Sequence, residues 1–167
     1  KGSPPFIGLL TRAEEVGFIG CIAHVQKYFS KPNDSITVLS VETSKALPGA
    51  EFSKGVIVRL GDRLSTFDSG RTLLVREIAK SLLPDQHQAR IMDGGACEAS
   101  ACIALGMRAV AMSIPLGNYH NTTEANTPAA EFIYESDLNS ALTLAEGILR
   151  FILDNPDVWT RPEIQLS

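Results

Sequence analysis

Hydrophobic and β-branched residues gather into short runs, separated by turns and by stretches whose apolar positions repeat about every 3.6 residues. The runs at 6–13, 36–43, 55–61, 89–93, 109–115 and 130–134 predict strands. Residues 69–83 set Leu73, Leu74, Ile78 and Leu82 on one face of a predicted helix that Pro84 stops. A small-residue helix is expected over 95–105, running from Ala96 to Leu105 and closed by Gly106. Over 136–153, Leu138, Ala141, Leu142, Ala145, Ile148, Leu149 and Ile152 keep helical spacing, with Ser136 as the expected N-cap. Pro32-Asn33-Asp34 and Leu47-Pro48-Gly49 read as turns. Strands alternating with helices predict one α/β layered domain, a mixed, largely parallel sheet flanked by helices.

Composition narrows the function classes. The 167 residues are 44% hydrophobic and 20% charged, the balance of an ordinary globular chain long enough to bury a core. A net charge of -4 with scattered Lys and Arg excludes a nucleic-acid footprint. No uninterrupted apolar run is long enough to span a bilayer, so no membrane partner is expected. Cys21, Cys97 and Cys102 are an odd set without C-x-x-C spacing, which points to neither a disulfide framework nor a Cys-type zinc site. Lying in apolar or small-residue stretches, they read as buried reduced thiols, and a reducing, cytoplasmic compartment is expected. The sequon Asn121-Thr122-Thr123 is taken as coincidental.

In such a sheet, chemistry gathers in loops after the C-terminal ends of strands. Glu14-Glu15 follow the run 6–13, Glu42 ends the run 36–43, and His120 follows 109–115, all at one edge if the strands are parallel. Adjacent carboxylates repel unless a cation is near. A divalent metal removes that cost: one carboxylate can bind it while its neighbour takes a proton from the bound water. Taken singly, each residue has a plain reading as a solvated helix-opening glutamate, a strand-ending glutamate or a surface histidine. Together they form the nitrogen and oxygen donor set of an open hydrolytic zinc. His24 and His87, expected in a helix and a polar loop, are set aside.

Arg12-Ala13-Glu14-Glu15-Val16-Gly17-Phe18-Ile19-Gly20 resembles the EEVGxxG element of co-catalytic zinc aminopeptidases, especially the tetrahedral, glutamyl and deblocking group. Further segments match in the same order. Val41-Glu42-Thr43, Leu47-Pro48-Gly49, and Lys54-Gly55-Val56 through Leu60-Gly61-Asp62 resemble a metal-ligand strand, a turn and the following hairpin. Asp93-Gly94-Gly95 through Glu98-Ala99 resembles a Gly-Gly loop and helix, and Val110 through Ile114-Pro115 with Tyr119-His120 resembles the family's closing ISIP…H element.

The resemblance implies an amide-bond hydrolase, most closely an aminopeptidase using two zinc ions, with Co or Mn as alternatives. It implies Glu14 as general base, Glu15 and His120 as ligands of one zinc, and Glu42 as ligand of the other. Gly94, Gly95 and Glu98 would line the substrate side. Two departures stand out. The family's early His-x-Asp element and bridging Asp lie upstream of the Glu-Glu pair, where this chain has only 13 residues, and position 42 is Glu where such aminopeptidases carry Asp. Residues 1–167 are therefore expected to be the C-terminal portion of a zinc peptidase catalytic domain, inactive alone. The expected partners are a peptide or acyl-amino-acid substrate, and either further copies of the chain or the missing upstream part. Carboxypeptidase or aminoacylase action and a non-catalytic peptidase-fold relic are the alternatives.

Overall fold

The computed structural model describes residues 6–29 and 36–158. Strands β1 (Thr37–Lys45), β2 (Val56–Asp62), β3 (His87–Met92) and β4 (Arg108–Leu116) form one sheet in the order β1-β4-β2-β3. β1 runs parallel to β4 and β3 parallel to β2, while β2 and β4 are antiparallel. Helices α1 (Ile19–Tyr28), α2 (Ser69–Leu82), α3 (Glu98–Ala104) and α4 (Glu135–Asp154) cover its faces. The sheet is mixed and flanked by helices, as expected.

Alternation along the central strand β4 decides the layering, because successive side chains point to opposite faces. Val110, Met112 and Ile114 join Val56 and Val58 against Val75, Ile78 and Ala79 of α2 and Ala141, Leu144 and Ile148 of α4. On the other face Ala109 and Ala111 pack with Cys21 and Val25 of α1 and with Ala99 and Cys102 of α3. Small β4 side chains on this second face leave room for polar groups from the neighbouring strands.

One buried carboxylate ties the layers together. Asp137, in the first turn of α4, is 0% exposed and accepts the backbone N–H groups of Ser53 (2.9 Å) and Gly55 (2.8 Å). Ser140 accepts Val56 N–H at 2.7 Å and donates to the Asp137 carbonyl. Asp137 thus satisfies donors of the loop leading into β2 that would otherwise be unpaired.

Several sequence expectations are corrected. Residues 6–13 form no strand: Phe6 is 66% and Leu10 99% exposed, and no described strand pairs with them. An apolar run becomes a strand only where a ladder partner takes its backbone groups. Residues 130–134 make a single bridge, Phe132 to Gly117, rather than a strand. The helix expected over 95–105 shrinks to Glu98–Ala104, since Cys97 N–H is drawn to Asp62 Oδ2 at 2.9 Å. Tyr134, not Ser136, is the N-cap of α4, and His87 opens β3 instead of lying in a loop. The turn expected at Pro32-Asn33-Asp34 lies outside the described residues. Among the described residues no helix is long and apolar enough to cross a membrane.

Candidate active site

Parallel pairing of β1 with β4, with Glu42 opposite Ser113 and Lys45 opposite Leu116, sets the C-terminal ends of both strands at one edge of the sheet. Just past β4, the chain turns sharply through left-handed backbone at Asn118 (φ 51°), His120 (φ 59°) and Asn121 (φ 57°). His120 N–H is held by Glu131 Oε1 at 2.8 Å, and its ring stacks on Tyr119 with centroids 3.9 Å apart. Non-glycine residues in this conformation are strained and persist where their surroundings hold them, a feature common at functional sites.

The Glu-Glu turn is built by its glycines. Gly17 N–H and Phe18 N–H both donate to the Glu14 carbonyl (3.1 and 2.9 Å), and Gly20 N–H donates to the Arg12 carbonyl at 3.0 Å. A Cβ on Gly20 would lie 2.5 Å from that same Arg12 oxygen, so only glycine permits the turn to close onto α1. The spacing of Val16-Gly17-Phe18-Ile19-Gly20 therefore fixes where Glu14 and Glu15 stand.

These segments meet. Glu15 Oε1 lies 3.8 Å from His120 Nε2, both side chains being exposed. Glu42 is bound on both oxygens, accepting Ser40 Oγ at 2.9 Å and pairing with Arg59 Nη1 at 2.7 Å. Arg59 comes from the middle of β2 with only 4% of its side chain exposed. Partial burial raises the pKa of Glu14, and the negative charges of Glu15, Glu42 and Glu98 raise it further against the opposing pull of Arg59. The Tyr119 hydroxyl is likewise pushed up, by burial first and then by Glu15, Glu14 and Glu42. Burial, then Glu42, pushes up the Cys97 thiol. Glu98, the first residue of α3, has a buried Oε1 with no hydrogen-bond partner among the described residues.

Glu14, Glu15, Glu42, Glu98 and His120 thus form one electrostatic neighbourhood. Gly94 and Gly95 border open space, with nothing within 4 Å of a Cβ built on either, and the Gly95 carbonyl is held by Arg63 N–H at 2.9 Å. Arg59 and Ser40 received no role from the sequence, and Tyr119 entered only as the neighbour of His120. For Arg59 a signal existed: it is the lone charge inside the apolar run Val56-Ile57-Val58-Arg59-Leu60. A cleft lined by Thr66, Asp68, Met107 and Arg108 lies at the opposite end of β4, away from this chemistry.

The donor set fits part of a metal site. Two ligands about 2.1 Å from a tetrahedral zinc stand roughly 3.4 Å apart, close to the Glu15–His120 separation. A hydrolytic zinc takes about three protein ligands, and among the described residues no group of three or more His, Cys, Asp or Glu could hold an ion. The charge of Glu42 is already met by Arg59.

No protein-family model matches the sequence, and no curated protein matches it either. Solved structures do. A TET aminopeptidase from a marine-sediment Thaumarchaeota archaeon aligns with TM-score 0.68 and 21% identity, covering 89% of this chain and 41% of that one. The TET1 peptidase of Pyrococcus horikoshii, which assembles into a tetrahedron or a large octahedral shell, gives 0.61 and 18%, covering 81% and 38%. An aminopeptidase of Desulfurococcus kamchatkensis gives 0.60 and 21%, covering 81% and 38%. The chain has the fold of these aminopeptidases. It spans about two fifths of the length of the solved structures it matches.

Proposed function

We infer that the chain carries the C-terminal part of a zinc-dependent amide-bond hydrolase of the aminopeptidase type. The observation that supports it is the 3.8 Å approach of Glu15 to His120 from segments 105 residues apart, beside a Glu14 whose pKa is raised. Glu15 and His120 would hold one ion, the remaining ligands coming from beyond the described residues. Co and Mn suit the same imidazole and carboxylate donors. A bound ion of this kind supplies an acidified water and an electrophile for the carbonyl oxygen.

Glu14 does the proton work. Its raised pKa makes a carboxylate oxygen a better acceptor near neutrality than an ordinary glutamate, so it takes a proton from water and returns it to the leaving amine. Tyr119, whose pKa is raised by burial and then by Glu15, Glu14 and Glu42, supplies a hydroxyl donor beside them. Glu98 offers a buried, unpartnered oxygen of the kind a substrate α-ammonium would satisfy, which favours amino-terminal cleavage over carboxypeptidase or aminoacylase action. Glu42 reaches a second ion only by exchanging its Arg59 partner. The exposed run from Phe6 to Leu10 supports burial against further sheet or another copy, and three free buried cysteines support a reducing compartment.

Zinc titration tests the reading. Glu15→Gln and His120→Ala should each weaken zinc uptake, whereas Glu14→Gln should retain it and, in the full-length protein, cut turnover by roughly 10²–10⁴. Zinc affinity unchanged in both ligand variants would remove the site. Aminoacyl-anilides compared with N-acyl amino acids distinguish the amino-terminal reading from its alternatives.

A further inference from the structure

Cys21 of α1 and Cys102 of α3 face one another with their sulfurs 3.4 Å apart, although 81 positions separate them in sequence. Both are buried, at 3% and 2% exposure, and both belong to the apolar cluster between these helices and the sheet. A disulfide needs its sulfurs about 2.05 Å apart, so the pair must close by roughly 1.4 Å, within reach of small side-chain rotations. We propose that Cys21 and Cys102 are a reversible oxidation site that takes a small-molecule disulfide as its oxidant and covalently locks α1 to α3.

Either sulfur can donate across the 3.4 Å contact, which lowers the pKa of Cys21, and Cys21 lies on the helix that opens. The Cys21 thiolate attacks one sulfur of the small disulfide, breaking its S–S bond, forming a mixed disulfide and releasing one thiolate. Cys102 then loses its proton to that thiolate and attacks Cys21 Sγ, expelling the second thiolate, which takes up the proton that Cys21 gave to solvent. Two protein thiols are oxidised and one small disulfide is reduced to two thiols. Access comes through α1, which buries only Cys21 and Val25, so it opens locally at less cost than the whole fold. Cys97, the N-cap of α3, lies instead beside Glu42, and burial first, then the charge of Glu42, disfavours its thiolate.

The consequence reaches the candidate site. α1 directly continues the Glu14–Glu15 turn and α3 begins at Glu98, so the crosslink fixes the general-base turn relative to the orphaned carboxylate. The native chain is incubated with glutathione disulfide, and its thiols are counted after denaturation. The count should fall from the three free cysteines to one, with peptide mapping joining Cys21 to Cys102 and with slowed amide exchange in α1. Treatment with a dithiol should reverse all three changes. Cys21→Ser should abolish the crosslink and Cys97→Ser should preserve it. Three thiols surviving oxidation, a linkage through Cys97 or between chains, or unchanged α1 exchange in the crosslinked protein would overturn the proposal.

Discussion

Arg59 Nη1 and Glu42 Oε2 meet at 2.7 Å across the sheet, bringing the middle of β2 to the C-terminal half of β1. The guanidinium is almost wholly buried, and its Nε has no hydrogen-bond partner among the described residues. Removing one member of such a pair strands a charge away from water. Glu42→Ala, which leaves Arg59 alone, is expected to cost about 3–5 kcal/mol, and Arg59→Met together with Glu42→Leu much less. Urea unfolding of the single and double variants measures the difference, and equal losses in both would show that the charges do not depend on each other.

Glu14 gives a second expectation. Its pKa lies above the ordinary glutamate value because of burial and the neighbouring carboxylates, so Glu15→Gln should move it down toward that value. Since the folded state raises this pKa, its contribution to stability is full below the unfolded value and lost as pH rises through the folded one. Glu14→Gln should therefore stabilise the chain slightly at neutral pH. Carboxyl-carbon NMR titration follows the pKa, and thermal unfolding at two pH values follows the stability.

Asp62 behaves in the opposite sense. Burial works against its charge, but Ser100 Oγ (2.6 Å) and the N–H groups of Leu64, Ser65 and Cys97 outweigh that, and its pKa falls below the usual aspartate value. The stability it confers is present above about pH 4, the unfolded aspartate value, and is lost as pH falls through the lower folded value. Asp62→Asn should lower stability at neutral pH and flatten the acid limb of a stability-versus-pH curve. An unaltered acid limb would show that these four hydrogen bonds do not favour the ionised form.

Asp137 anchors the loop leading into β2 to α4 through two backbone N–H bonds to its buried carboxyl. Asp137→Ala leaves the Ser53 and Gly55 N–H groups without acceptors and should cost about 2–4 kcal/mol. Amide exchange at Gly55 and Val56 should accelerate by the matching factor, while that of β1 should be little changed.

How far the chain could be read in advance varies by element. The runs that became β1, β2 and β4 are rich in β-branched residues and bounded by turns, so local pattern and tertiary context agree there. Leu138, Ala141, Leu142 and Ala145 announced α4 in the same way, although the Asp137 carboxyl binds the loop leading into β2 instead of forming a cap. Glu14, Glu15, Glu42 and His120 stood out because polar residues directly after apolar runs are conspicuous in a layered sheet. Arg59 did not, since its meaning depends on the partner that β4 brings beside it.

Periodicity and turn chemistry act over a few residues, and so the order of letters sufficed for the α/β class and for helices α2 and α4, but not for their buried faces: α2 buries Thr72, Val75, Ile78 and Ala79 while Leu82 stays exposed, and Leu142 of α4 is exposed too. Pairing across the sheet lies outside that range. Whether residues 6–13 find a ladder, that β2 meets β4 antiparallel, and that Cys21 comes to face Cys102 are settled by which surfaces bury one another. A strand is completed by its neighbour, and a carboxylate's charge state by the groups packed around it.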